Sequence, residues 1–218
     1  MISACVLVYA AVAYLGQSYG IPFNSGLVSQ PGDVLVRGAL IPSLVAEGQW
    51  WRLLTSIFLH SSFIHLASNM LALYFLGSLT EEGFGSWRFL ALYVASGIAG
   101  GLAYLYFGAF EQPAVGASGA IFGLMGSVLG YSLRRGTFSR RNPLIMQLLF
   151  LLAINLYLGF AIPNVSNTAH IGGLAGGLLF GYLMAPSPTS TKPLRSITPV
   201  LLVFGVELAL FGLWLGLL

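Results

Sequence analysis

Ser118, His170, His65 and Asn69 are the side chains on which chemistry could rest. Ser118 lies in Gly116-Ala117-Ser118-Gly119-Ala120-Ile121-Phe122-Gly123, where glycine and alanine on both sides leave its hydroxyl accessible to a substrate backbone. His170 is followed by Gly172, Gly173, Gly176 and Gly177, and a matching row, Gly119, Gly123, Gly126 and Gly130, surrounds and follows Ser118. Small residues at this spacing let helices approach closely, so the two rows predict a tight helix pair with Ser118 within hydrogen-bond reach of His170. A serine hydroxyl so placed gains a nucleophilicity it otherwise lacks, because the imidazole takes its proton. His65 and Asn69 are four residues apart and project from one helical face. Taken singly, a serine between small residues reads as packing. A His or Asn inside a membrane span is costly to bury and marks a functional site.

The elements that must hold these side chains follow from the scarcity of charge. Of 218 residues, 57% are hydrophobic and only 7% are charged, whereas about a quarter of a soluble domain carries charge. Disorder is excluded by the same figures. The chain reads as an all-α, polytopic membrane helical bundle; a β-barrel would show segments of alternating polarity. Charge-free stretches run from Met1 to Gly32, Leu53 to Thr80, Phe89 to Phe110, Gln112 to Leu133 and Asn142 to Thr191, and after Arg195 only Glu207 is charged. A crossing needs about 20 apolar residues, and Pro163, Asn164, Ser166 and Asn167 break the longest stretch in two. Seven spans result, near residues 2–19, 62–80, 88–108, 115–133, 144–162, 168–185 and 199–217.

Spans two, four and six run in the same direction whichever way the chain is inserted. His65, Asn69, Ser118 and His170 each fall early in one of them and therefore meet at one depth. With a cytoplasmic amino terminus, the inner loops hold Arg88, Arg134, Arg135, Arg140, Arg141, Lys192 and Arg195, against Arg37 and Arg52 outside. That is the positive-inside arrangement, and it puts all three histidines, His60 included, towards the outer face. The same loops account for the net charge of +3 and give no reason to expect a nucleic-acid partner. The arginines between 134 and 141 read as a topology anchor. Residues 20–56, with Pro22, Pro31, Val34, Leu35, Val36, Leu40, Ile41, Pro42, Leu44 and Val45, are too apolar for a solvated loop. They are expected in the outer interface, with Trp50 and Trp51 at headgroup depth. The first span lacks a basic n-region, which argues against a cleaved signal peptide. Cys5 is the single cysteine, so no intramolecular disulfide is possible. Glu207, in the middle of the seventh span, needs protonation, a partner or a polar cavity, and a structural contact with the core is expected.

From about Trp50 to Gly181 the sequence resembles the rhomboid intramembrane serine proteases, in their bacterial form of a six-helix core plus one C-terminal helix. The resemblance rests on Trp51-Arg52, His60 followed by His65 and Asn69, Glu81 with Gly85, GASGAIFG around Ser118 and AHIGGLAGG around His170, in this order. It implies a catalytic core over 1–186, including the interfacial loop 20–56, and a linker with an additional transmembrane helix over 187–218. It also implies a dyad without an acidic third member, Ser118 as nucleophile and His170 as general base. Phe122 occupies the position of an aromatic residue that stacks on the catalytic histidine; some members have Tyr there. The oxyanion donors it implies are the Asn69 amide, the His65 ring and the backbone N–H of Ser118, with the positive end of the helix dipole assisting. Gly116, Gly119, His60, Trp51 and Arg52 match supporting positions, the last two fixing the first loop. Glu81 and Arg88 would be cytoplasmic packing contacts.

The implied substrates are transmembrane segments of other proteins, locally unwound and cut near a small residue, with the lipid bilayer as surroundings. The family's candidates for admitting them are the fifth span and the first loop. No cofactor and no metal are expected, and the sequence carries no signal for an oligomeric state. A transporter or channel with Glu207 as its proton site would need a second set of pathway charges or an inverted repeat, and neither is visible. A non-catalytic rhomboid-like binding protein shares the fold but characteristically lacks the Ser or the His. The compact chain, without transit peptide or extra domain, leads us to expect a prokaryotic plasma membrane, with the amino terminus cytoplasmic and the site towards the outer face.

Overall fold

A computed structural model of the chain describes residues 1–18, 35–162, 165–186 and 197–217. Among these residues there is no strand, and seven long helices dominate: α1 (Ile2–Ser18), α2 (Phe63–Phe84), α3 (Ser86–Phe107), α4 (Ser118–Arg135), α5 (Pro143–Ala161), α6 (Asn167–Met184) and α7 (Thr198–Leu215). Every end falls within four residues of the expected span. Pro22, Pro31 and Val34 of the first loop, Pro163 and Asn164 after α5, and Lys192 and Arg195 before α7 lie outside the described residues.

Local chemistry sets the ends. Ser62 caps α2 by accepting the His65 N–H (3.1 Å), and Ser166 caps α6 by accepting the Ala169 N–H (3.2 Å). Asn142 caps α5 through the Leu144 N–H, with Pro143 at the first helical position. Such caps satisfy N–H groups that a helix start leaves unpaired. Between α2 and α3 the chain reverses through Gly85 at φ +85°, a conformation that favours glycine.

Helix α4 is the buried centre of the bundle, and α6 runs parallel to it. A Cβ added at Gly173, Gly177 or Gly181 would overlap the carbonyl groups of Gly119, Gly123 or Ser127; one at Gly126 or Gly130 would overlap those of Leu174 or Leu178. Gly172 and Gly176 instead meet Ala99 and Ala103 of α3. The glycine row of α6 thus serves two neighbours and not α4 alone, because adjacent helical residues point about 100° apart.

Four helices, α2, α3, α5 and α7, are each long and apolar enough to cross a membrane by length and composition, and α1 is a shorter apolar helix. Helices α4 and α6 do not reach that composition. Glycine, serine and histidine replace leucine where a helix faces another helix and not lipid.

The first loop is more structured than an interfacial segment need be. It forms short helices at Pro42–Ala46 and Arg52–Thr55 and a 3-10 turn at Ser56–Phe58. Leu40, Val45 and Leu53 pack with Leu102, Tyr104 and Leu105 of α3 and Trp214 of α7. Trp50 and Trp51 remain exposed. Helix α7 lies along α3, where the Trp214 indole donates to the Leu105 carbonyl (2.9 Å) and the Tyr106 hydroxyl to the Leu210 carbonyl (2.7 Å). Glu207 is buried, and neither carboxyl oxygen has a hydrogen-bond partner among the described residues. Glu81 is exposed and so is not the packing contact expected of it; its carbonyl accepts the Gly85 N–H. Arg88 donates to the Phe84 carbonyl (3.3 Å) and lies over the Trp87 ring.

The α4–α6 seam predicts a contrast. Gly177→Val drives a side chain into the Gly123 carbonyl and is expected to cost about 3 kcal/mol or more, whereas Gly205→Ala and Gly212→Ala, which meet nothing within 4 Å, are expected to be near neutral. Thermal unfolding in detergent separates them; a Gly177→Val midpoint within a degree or two of the parent would refute the close approach.

Candidate active site

Ser118 is the first residue of α4, and the segment before it is tied down by backbone bonds to the first loop. Leu40 and Ala114 exchange hydrogen bonds (3.0 and 2.8 Å), and the Gly116 N–H donates to the Ser56 carbonyl (3.0 Å). Gly116 itself has φ +131°, which disfavours any other residue. The first turn of α4 therefore starts at a fixed place, with N–H groups that have no acceptor within the helix.

His170 lies one turn into α6, and the parallel packing sets its Nε2 2.9 Å from the Ser118 Oγ. Phe122, one turn beyond Ser118, lies flat on the imidazole, with ring centroids 4.2 Å apart and planes 7° from parallel. His170 is buried, and its Nδ1 has no hydrogen-bond partner among the described residues. The imidazole is thus held by stacking and by its helix, with no carboxylate behind it. An Nε2 that accepts the serine proton leaves the ring hydrogen on Nδ1.

On α2 the His65 ring comes up to Gly116. A Cβ at Gly116 would lie 2.8 Å from both Cε1 and Nε2 of His65 and 3.7 Å from the Ser118 Oγ. The side chain that Gly116 lacks therefore leaves a gap between the imidazole and the hydroxyl. Asn69 is buried one turn further on and donates to the His65 carbonyl (2.8 Å). One bond uses one of its two amide hydrogens. His60, in the turn before α2, sets its ring edge against His65 at a centroid distance of 5.1 Å. Burial, and secondarily His65, push its imidazole down to about 3, against a weaker upward pull from the Phe58 carbonyl, so it is neutral at any ordinary pH.

Gly119 faces the Ala169 carbonyl and permits α6 to approach just before His170. Arg52 is buried and directs its whole guanidinium at the first loop. It donates to the Gln49 Oε1 from Nε (2.9 Å) and Nη2 (2.7 Å), and to the Val36 and Ala39 carbonyls from Nη1 (2.6 and 2.7 Å). Trp51 is half exposed and contributes its carbonyl to the Thr55 N–H. Ser118, His170, Phe122, His65 and Gly116 are thus together, Asn69 is beside His65, and Trp51 and Arg52 lie in the loop above. Among the described residues no group of three His, Cys, Asp or Glu is placed to hold a metal ion, and Cys5 is buried with its Sγ 3.9 Å from the Tyr93 Oη.

Three residues here carried no cue in the sequence reading: Gln49, Ser56 and Ser61. Ser61 sits against the His65 ring, its Oγ 3.1 Å and its backbone N–H 3.4 Å from Nδ1. The four-residue spacing of Ser61 and His65 hints at contact only if both are helical, and Ser61 precedes the helix.

A bundle of apolar helices with a hydroxyl–imidazole pair at the head of two parallel inner helices defines a membrane-embedded protein built around that pair. A family model described as rhomboid domain matches residues 47–187. Rhomboid protease GluP of Bacillus subtilis is 41% identical over 180 residues, covering 83% of this chain and 34% of that protein. RHOMBOID-like protein 5 of Arabidopsis thaliana is 38% identical over 178 residues, covering 80% and 57% respectively. YdcA of Bacillus subtilis is 38% identical over 139 residues, 64% of this chain and 69% of that protein. The chain belongs to the rhomboid family. It spans between about a third and three fifths of the length of the first of these curated relatives.

The guanidinium of Arg52 makes a sharp demand, since lysine cannot reproduce a planar fork that serves three acceptors at once. Arg52→Lys is expected to lose about 2 kcal/mol and to expose the first loop to limited proteolysis before the bundle unfolds. Unchanged proteolysis of that loop would show that Arg52 does not hold it.

Proposed function

We propose that the protein is an intramembrane serine endopeptidase that cleaves transmembrane segments of other membrane proteins. The observation that carries this reading is the 2.9 Å contact of Ser118 Oγ with His170 Nε2 under the stacked Phe122 ring. As Oγ attacks the scissile carbonyl, Nε2 takes the hydroxyl proton; when the tetrahedral intermediate collapses, the same proton goes to the departing amine. A water then gives its proton to Nε2 and attacks the acyl-serine, releasing the second product and restoring the hydroxyl. Phe122 holds the ring plane but cannot donate a hydrogen bond.

The oxyanion needs donors aimed at the place where charge develops. The Ser118 N–H at the start of α4, the His65 ring across the Gly116 gap, and the second amide hydrogen of Asn69 are the groups we assign to it. His60, Gly119, Trp51 and Arg52 support them without touching the reacting atoms. Residues 1–186 form the catalytic unit in this reading, and 187–218 add a linker and α7, whose packing on α3 braces it. The membrane is a prokaryotic plasma membrane, with the amino terminus cytoplasmic and the dyad towards the outer face, as the loop arginines favour. A transporter built on Glu207 is not favoured, because Glu207 is separated in the sequence from the cluster and no second charge accompanies it in α7.

A serine-directed fluorophosphonate probe should label Ser118, and the purified protein in liposomes should cleave a model transmembrane substrate. Ser118→Ala and His170→Ala should abolish cleavage with folding intact. Asn69→Ala should lower kcat by up to about a hundredfold and leave measurable activity, because other donors remain. Cleavage that persisted in Ser118→Ala would remove Ser118 as the nucleophile.

A further inference from the structure

A histidine can donate to an oxyanion through Nε2 only if the ring hydrogen is on that nitrogen, and a neutral imidazole carries just one. His65 therefore needs something to decide its tautomer. Its Nδ1 faces Ser61, with the backbone N–H at 3.4 Å and the hydroxyl oxygen at 3.1 Å. The hydroxyl alone decides nothing, since it can donate or accept. The backbone N–H sets the sense: an amide only donates, so Nδ1 presents its lone pair; at 3.4 Å that bond is long and weak, and the hydroxyl, turned to donate at 3.1 Å, supplies most of the hold. With Nδ1 occupied as an acceptor, the ring hydrogen goes to Nε2.

That hydrogen is where the chemistry needs it. Nε2, together with Cε1, would lie 2.8 Å from a Cβ at Gly116, a point itself 3.7 Å from the Ser118 Oγ. The ring's other contacts leave this tautomer unopposed, because neutral His60 meets it edge to ring and its own carbonyl is taken by Asn69.

We propose that Ser61 is a positioning residue for the proteolytic reaction: its N–H and hydroxyl together clamp His65 Nδ1 and hold the ring as the Nε2–H donor that faces the oxyanion. This rests on the reading of His65 as an oxyanion donor. Ser61 touches neither substrate nor nucleophile and acts only through the state of another side chain. Because Ser61 is exposed at the start of α2, its hydroxyl can be removed without opening a cavity in the core.

The experiment combines ring ¹⁵N spectra with kinetics in liposomes. Only three histidines are present, so protein labelled with ¹⁵N-histidine gives three rings, and His65→Ala identifies the His65 signals by their loss. The parent protein should show His65 protonated at Nε2 and bare at Nδ1. Ser61→Ala should shift that ring towards a tautomer mixture and lower kcat about three- to tenfold, the worth of one hydrogen bond, with KM unchanged. Ser61→Thr, which keeps the hydroxyl, should restore both readings. Combined with His65→Ala, Ser61→Ala should cost nothing further. A parent spectrum with the hydrogen on Nδ1, or a Ser61→Ala protein with unchanged tautomer and kcat, overturns the proposal. Failure of the underlying reading looks different: His65→Ala would then cleave at the parent rate.

Discussion

The carbonyl groups of Gly119, Gly123 and Ser127 occupy the space where Cβ atoms of α6 would stand if Gly173, Gly177 and Gly181 carried them. The two inner helices consequently touch backbone to backbone, and everything at their heads inherits that spacing. Ser118 begins one helix and His170 lies one turn into the other, so the 2.9 Å between Oγ and Nε2 is fixed by residues up to about three turns away from it. A single methyl in this seam would push the imidazole off the hydroxyl, which is why glycine is used despite the entropy it loses on folding. The seam is built from backbone and small side chains and carries no charge.

Placing polar groups in such a setting raises a second constraint, that each must be bonded or must have a reason not to be. The helix starts are bonded: Ser62 and Ser166 accept the N–H groups of His65 and Ala169, putting a cap within four residues of both site histidines. The buried groups left without a partner among the described residues include His170 Nδ1, Ser96 Oγ and the Glu207 carboxyl. His170 Nδ1 belongs to the site, and Phe122, stacked parallel on the ring face, leaves its in-plane hydrogen without an acceptor among the described residues. Ser96 lies where α3 meets Gly123, so its hydroxyl is enclosed by the same close packing. Glu207 is of another kind, a carboxyl on α7 with no feature of the dyad near it in the sequence.

Much of this was legible in the sequence because hydrocarbon makes rules strict. Helix positions followed from charge-free stretches, and the meeting of Ser118 with His170 followed from glycine rows and the alternation of spans. Other features obey weaker rules. Gly172 and Gly176 look identical to Gly173 and Gly177 in the sequence, yet they face α3, since only the rotation of the helix decides which neighbour each meets. The first loop could be recognised as too apolar for water, but its short helices and the Leu40–Ala114 bridge depend on pairings between residues more than 70 apart. Ser61 was invisible for a related reason: its contact with His65 depends on the shape of a turn that no residue pattern marks.

The packing is also uneven. Helices α4 and α6 are locked through their backbones, and the first loop is locked by Arg52 and by its bonds to Ala114 and Gly116. Helix α5 is less so: Ile145, Leu148 and Gly159 are its buried residues, Leu149, Leu151, Leu152 and Leu156 are partly buried, and the rest of its surface faces outward. Elements with few buried contacts open at low free-energy cost, whereas those at the core open only with the whole fold. The fixed spacing of Ser118 and His170 and the capacity to yield are therefore assigned to different helices. Replacing the glycines of the inner pair by larger residues would loosen the first, while loosening α5 leaves the dyad where it is.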